Sequence, residues 1–138
     1  MTKNLLFLIA GLITFCFSDC TSESKQIKNA KYYGFINPTE NDGAAYIDID
    51  INQISNLFNQ LKRGKPQVLK GTPQYLSLET GNEIDITLQI FPGDYKAMRV
   101  IKGKRVTDLW YEFKDTHSLS AWQTLLNSWK ISLQKKQK

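Results

Sequence analysis

The sequence predicts an α+β fold: an antiparallel sheet of four to six strands with two helices packed on one face, in the order (β)-β-α-β-β-β-β-α. Three observations carry this expectation. Between Ala44 and Leu61 the apolar period switches from two to that of a helix. Between Tyr75 and Phe113, strand-like runs follow one another across short turns. Connections this short force antiparallel neighbours, because parallel strands need long crossovers. After Phe113 a last segment carries one apolar stripe at helical spacing.

Taken in order, Lys31 to Ile36 (KYYGFI) reads as a short edge strand, followed by turn signals at Asn37-Pro38 and Asp42-Gly43. In Ala44 to Ile51 the residues Ala45, Ile47, Ile49 and Ile51 alternate with Tyr46, Asp48 and Asp50, the pattern of a strand with one buried face. Ile54, Leu57, Phe58 and Leu61 then fall at i, i+3, i+4 and i+7, the stripe of an amphipathic helix. Asn52 is placed to cap its start and Gly64 its end. Pro66 to Pro73 connects. Strands are expected at Tyr75–Glu79, Ile84–Phe91, Tyr95–Ile101 and Arg105–Phe113, with turns at Thr80-Gly81-Asn82, Pro92-Gly93-Asp94 and Lys102-Gly103. A final helix over Ser118 to Leu133 places Leu119, Trp122, Leu126, Trp129 and Leu133 on one face, with Ser120 or Ser118 as its cap. Each element has one apolar side, so a two-layer arrangement buries them all.

The first twenty residues, MTKNLLFLIAGLITFCFSDC, stand apart. Lys3 gives a positive start, and Leu5 to Phe17 is an uncharged run of thirteen residues. That suits an export signal and is short of the roughly 20 residues a membrane-spanning helix needs. The segment resembles a bacterial lipoprotein signal, in which an apolar run ends at a cysteine that becomes the first mature residue. The resemblance covers this leader and the polar stretch from Thr21 to Gln26. It implies lipidation of Cys20 and attachment to a membrane facing the periplasm or the cell exterior. The leader departs from that family where Phe17, Ser18 and Asp19 precede the cysteine. Ser18 and Cys20 also fit ordinary cleavage after Cys20, which would give a soluble periplasmic or secreted protein. The expected organisation is therefore a signal peptide over 1–20, a flexible tether over 21–30, one domain over 31–134 and a basic tail over 135–138.

Composition narrows the function. The only cysteines are Cys16 and Cys20. From Thr21 onward neither a disulfide framework nor a cysteine metal site is available. Eighteen basic against thirteen acidic residues give a net charge of +5, concentrated at Lys62, Arg63 and Lys65 and at Lys130, Lys135, Lys136 and Lys138. Both clusters fall where lysines stabilise helix ends, with contact to anionic lipid or the cell envelope as the alternative reading. Export argues against a nucleic-acid partner.

No nucleotide-binding loop or serine-hydrolase elbow occurs in the sequence. Asp48, Asp50 and Asn52 open like a calcium loop, but the sixth position lacks glycine and the twelfth is Asn59. His117 is the sole histidine. Neither a metal nor a cofactor is expected. Asp48 and Asp50 could serve as the paired carboxylates of a small exported hydrolase, the second functional reading.

The aromatics are the better clue. Tyr32, Tyr33 and Phe35 cluster early in the domain. In the last strand Leu109, Tyr111 and Phe113 share one face, so Trp110 takes the other, beside Phe91 and with Tyr95 near. An exposed Trp110 flanked by Phe91 and Tyr95 would be a partner-binding anchor, whereas Trp122 and Trp129 belong to the core. The leading expectation is thus a non-enzymatic, lipid-anchored envelope protein binding an unidentified protein, as inhibitor, immunity-type protein or accessory subunit. A purely structural envelope lipoprotein is the third reading.

Overall fold

The computed structural model describes residues 27–66, 71–79, 86–91 and 97–138. Over these residues the fold is α+β: one open antiparallel sheet of seven strands and two helices. The strands are β1 (Asn29–Gly34), β2 (Ile47–Ile49), β3 (Leu61–Arg63), β4 (Gln74–Glu79), β5 (Ile86–Phe91), β6 (Ala97–Lys102) and β7 (Arg105–Phe113). Helix α1 spans Ile51–Phe58 and α2 spans Thr116–Lys136. The order across the sheet is β2-β1-β4-β5-β6-β7-β3.

The sheet has one strand more than expected, and β1 is not an edge, because β2 pairs outside it. The added strand is β3. Helix α1 ends at Phe58 with Asn59 as its C-cap. Leu61, expected as the last residue of the helical stripe, instead faces Phe113 across β3 and β7. A residue at i+7 of a stripe and the first inward residue of a new strand look alike in sequence, which is why periodicity overran the boundary. Gly64 caps no helix. Its backbone N–H donates to the Trp110 carbonyl at 2.9 Å, and an added Cβ would meet Glu112 Cγ at 2.5 Å. Glycine here allows the chain to run close beside β7.

The helix starts also move. Asp50, not Asn52, caps α1: its Oδ1 accepts from the Asn52 N–H at 3.0 Å. Asp115 caps α2, and Ser118, considered as a cap, is the third helical residue. Asp115 Oδ1 accepts from the Ser118 N–H at 2.7 Å, while Ser118 Oγ accepts from the Asp115 N–H at 3.3 Å. This reciprocal pair satisfies two otherwise unpaired donors. At the other end Lys135 and Lys136 occupy the last turn, where cations face the negative end of the helix dipole.

The meander β4-β5-β6-β7 pairs as its short turns require. The β6–β7 hairpin turns through Gly103, whose φ of 60° glycine adopts without strain, between paired Lys102 and Arg105. Farther along, the register slips between Arg99 and Ile101. Thr107 repairs the slip: its hydroxyl donates to the Val100 carbonyl at 2.6 Å and accepts from the Leu109 N–H at 3.1 Å.

Both helices lie on the face bearing Ala30, Tyr32, Leu76, Leu78, Leu88, Ile90, Met98, Val100 and Tyr111. Trp122 sits where α1 and β7 meet α2, edge-on to Phe58 at 5.8 Å and tilted against Phe113 at 6.2 Å. Trp129 packs on Tyr32 at 5.5 Å. Ile27, within the stretch expected as tether, is itself buried. Among the described residues, the main core cluster is drawn from Ile27 to Leu133.

Tyr32 offers a check on this core. It is wholly buried and its hydroxyl donates to Gln74 Oε1. Burial pushes the phenol up to about 12, from an ordinary value near 10. Because the folded-state value is the higher, the contribution is complete below about pH 10 and is lost as pH rises towards 12. Within that window this group is expected to remove up to about 1.4 kcal/mol of stability per pH unit. Urea titrations at stepped pH check this; an equally steep alkaline decline in Tyr32→Phe would assign the effect elsewhere.

Candidate functional site

Strand alternation sets the sheet face away from the helices. Register aligns Tyr75, Gln89, Arg99 and Trp110 in one row across β4 to β7. Gln89 Nε2 donates to the Tyr75 hydroxyl at 3.2 Å. The Arg99 guanidinium lies 5.2 Å from the Trp110 ring centroid, and its Nε donates to the Thr107 carbonyl at 3.0 Å. Trp110 stacks on Phe91, with centroids 6.1 Å apart and planes at 27°. The orientation of Trp110 and its pairing with Phe91 are thus as expected, but their exposure is not. Trp110 is 1% exposed and Phe91 4%, and with Ala97 they form a second small core. Pointing away from the helices is not the same as pointing into water: the Arg99 guanidinium lies over the indole and the Phe91 ring stacks on it. A side chain so enclosed stabilises the sheet and gives a partner no surface to grip. Tyr95, expected in the same cluster, and Cys20 lie outside the described residues.

Asp50 is occupied as the α1 cap. Asp48 is exposed on β2, in register with Lys31. Exposed His117 lines an open cleft of about 550 Å³ between α1 and α2, with Leu57, Ala121 and Leu125 as its apolar part. The other lining residues are neutral amides and hydroxyls: Gln53, Asn56, Ser120, Thr124 and Ser128. Among the described residues no group of three potential metal-ligating side chains occurs.

A different corner of the molecule concentrates exposed aromatic and apolar groups. At the end of β1 the chain turns through Gly34, whose φ is 65° and where an added Cβ would meet Leu133 Cδ2 of α2 at 3.2 Å. A side chain there would be strained and pressed on Leu133, so glycine lets α2 approach this turn. The turn presents Phe35 and Ile36, 47% and 50% exposed. Lys130 of α2 holds its ammonium 5.9 Å from the Phe35 ring centroid, and the following residue, Ile131, is also exposed. Beside them, Tyr33 contacts Tyr46 at 5.5 Å. Two ammoniums, those of Lys31 and Lys136, lie 4.8 Å from the Tyr46 ring centroid. Lys136 Nζ also donates to the Tyr46 carbonyl at 2.6 Å, tying the end of α2 to the start of β2.

Lys31 pairs with Glu79 on β4 at 2.7 Å. The hydrogen bond to Glu79 raises the Lys31 ammonium above its ordinary value, and the same bond lowers the Glu79 carboxyl. Both side chains are partly exposed, so the pair contributes under about 1 kcal/mol. Its role is to hold Lys31 beneath Tyr46. In sequence the cluster Tyr32, Tyr33 and Phe35 signalled this corner. Tyr46, Lys130 and Ile131 join it only through the β1–β2 pairing and the packing of α2.

Among the described residues, no helix is long and apolar enough to cross a membrane. Comparison with known proteins gave no match: no family model, curated protein or solved structure aligns with this chain.

Proposed function

We propose that this is an exported, lipid-anchored, non-enzymatic protein of the cell envelope that binds a protein partner through the corner formed by Tyr33, Phe35, Ile36 and Tyr46. The observation that carries this reading is the exposure of Phe35 and Ile36, adjacent residues about half open to solvent. A neighbouring aromatic and apolar pair at the surface, flanked by tyrosines and lysines, has the composition of an interface hot spot and its rim. The corner stands on a β1 turn braced by α2, so it is already organised before a partner arrives, which limits the entropy lost on binding. The edge strands β2 and β3 are only three residues long, and the stretch of β7 beyond β3 carries Arg105 and Asp108. Short edges carrying charged side chains resist strand addition, which favours side-chain recognition at the corner.

Anchoring and binding separate experimentally. The intact mass of the mature chain from membranes of expressing bacteria is expected to start at Cys20 and carry acyl mass, absent in Cys20→Ser. A photo-crosslinking residue at Ile36 is expected to give one discrete protein adduct in those cells, and the same residue at Val106 none. Phe35→Ser is expected to abolish the adduct without moving the melting temperature. An adduct that survives Phe35→Ser would refute this binding surface.

A further inference from the structure

The first basic cluster read from sequence, Lys62, Arg63 and Lys65, lies on and just after β3 rather than at a helix end, and the fold enlarges it. β3 carries Lys62 and Arg63 along the outer side of β7, followed by Lys65. The β6–β7 hairpin places Lys102, Lys104 and Arg105 at the other end of β7. Residues forty positions apart in the chain therefore form one basic margin of the sheet. Five of the six are exposed and Lys102 is partly so. Among the described residues the facing carboxylates are Asp108 and Glu112 of β7, with Lys62 Nζ 4.0 Å from Glu112 Oε2. Beyond the margin on β7, Lys114 and Asp115 offset each other in charge. Counted over these described residues, the margin keeps a surplus of four positive charges. The opposite margin differs, because Glu40, Asp42, Asp48 and Asp50 around β2 offset the lysines at the end of α2. At the hairpin, Val106 is 48% exposed directly after Lys104 and Arg105, an apolar residue among cations.

We infer that this margin docks the domain on an anionic phospholipid surface. The inference rests on the envelope reading above, which brings the domain to a bilayer. Each basic residue near an anionic membrane contributes about a five-fold gain in partitioning. A surplus of four charges therefore predicts a preference of up to several hundred-fold for anionic over neutral bilayers at low salt. Val106 adds a small apolar contact at the depth of the headgroups. The geometry allows it. β1 and β3 stand five strand spacings apart in the sheet, about 24 Å. The seven residues from Cys20 to Gln26 reach at most about 25 Å. A domain held at Cys20 can thus lay its β3 margin on the membrane while the Phe35 corner, at the end of β1 on the other side of the sheet, faces a partner.

The test uses the chain from Thr21 onward, which has no leader or cysteine and retains the main core cluster. Its success or failure is therefore separate from the mass measurement at Cys20. Co-sedimentation is measured with vesicles of phosphatidylcholine alone and with about 30 mol% phosphatidylglycerol. Binding is expected to the anionic vesicles only and to be lost near 0.5 M salt, where screening is within about 5 Å. Lys62→Glu with Lys65→Glu and Lys104→Glu is expected to lower it at least ten-fold. Lys135→Glu with Lys136→Glu and Lys138→Glu makes the same change in net charge at the other margin and is expected to leave most of the binding. Absence of binding to anionic vesicles, or equal loss in the two triple variants, would overturn the inference. Equally tight binding to polyglutamate or duplex DNA would overturn it in favour of general polyanion attraction.

Discussion

Trp110→Ala is expected to destabilise the domain by about 3–5 kcal/mol, although Trp110 lies on the sheet face turned away from both helices. Its indole is 1% exposed, stacked on Phe91 and covered by Arg99. Removing it leaves a void between Phe91, Ala97 and the Arg99 side chain, and the stacking and cation–π contacts go with it. Urea denaturation should show a lower midpoint with an unchanged slope, since the surface exposed on unfolding hardly changes. A binding anchor would behave otherwise, losing affinity with little change in stability. A midpoint within about 0.5 kcal/mol of the parent would show that this face is not packed as described. Trp110→Ala therefore does not separate partner binding from a purely structural role. Loss of function in Trp110→Ala would report unfolding, so the discriminating variant is Phe35→Ser.

Trp122→Ala should be costlier still. Trp122 is wholly buried and touches Phe58 of α1 and Phe113 of β7 from its place on α2. It joins three elements, and α1 is only eight residues long. A helix that short has little intrinsic stability and depends on packing. The expected loss is about 4–5 kcal/mol, against a total of roughly 5–15 kcal/mol for a domain of this size. Hydrogen exchange should show α1 unprotected before the central strands β4 to β6. If α1 exchanges no faster in Trp122→Ala than in the parent, the aromatic junction does not hold it.

The meander and α2 were legible because their signals are local. Ile86, Leu88 and Ile90 alternate over one face, Gly103 turns the hairpin, and Leu119, Trp122, Leu126, Trp129 and Leu133 recur at helical spacing. β3 was not legible, since three residues ending in Lys62 and Arg63 carry no period of their own. It is a strand because β7 offers backbone partners opposite Leu61, Lys62 and Arg63. The caps were missed for a related reason. Asp50 and Asp115 precede the residues expected to start the helices, and either Ser or Asp satisfies the same N–H donors.

By itself the sequence determined the fold class, the inward residues of each long element and the outward direction of Trp110. These follow from side-chain period and turn chemistry, which act over a few residues. Tertiary structure alone decided which outward side chains meet water. Trp110 is enclosed where Arg99 lies over its ring and Phe91 stacks on it, whereas Phe35 and Ile36 stay open at a turn braced by α2. It also decided where charge accumulates, by bringing Lys62 and Lys104 to one margin of the sheet. Exposure and electrostatic fields depend on contacts between distant segments, and no local pattern encodes those contacts.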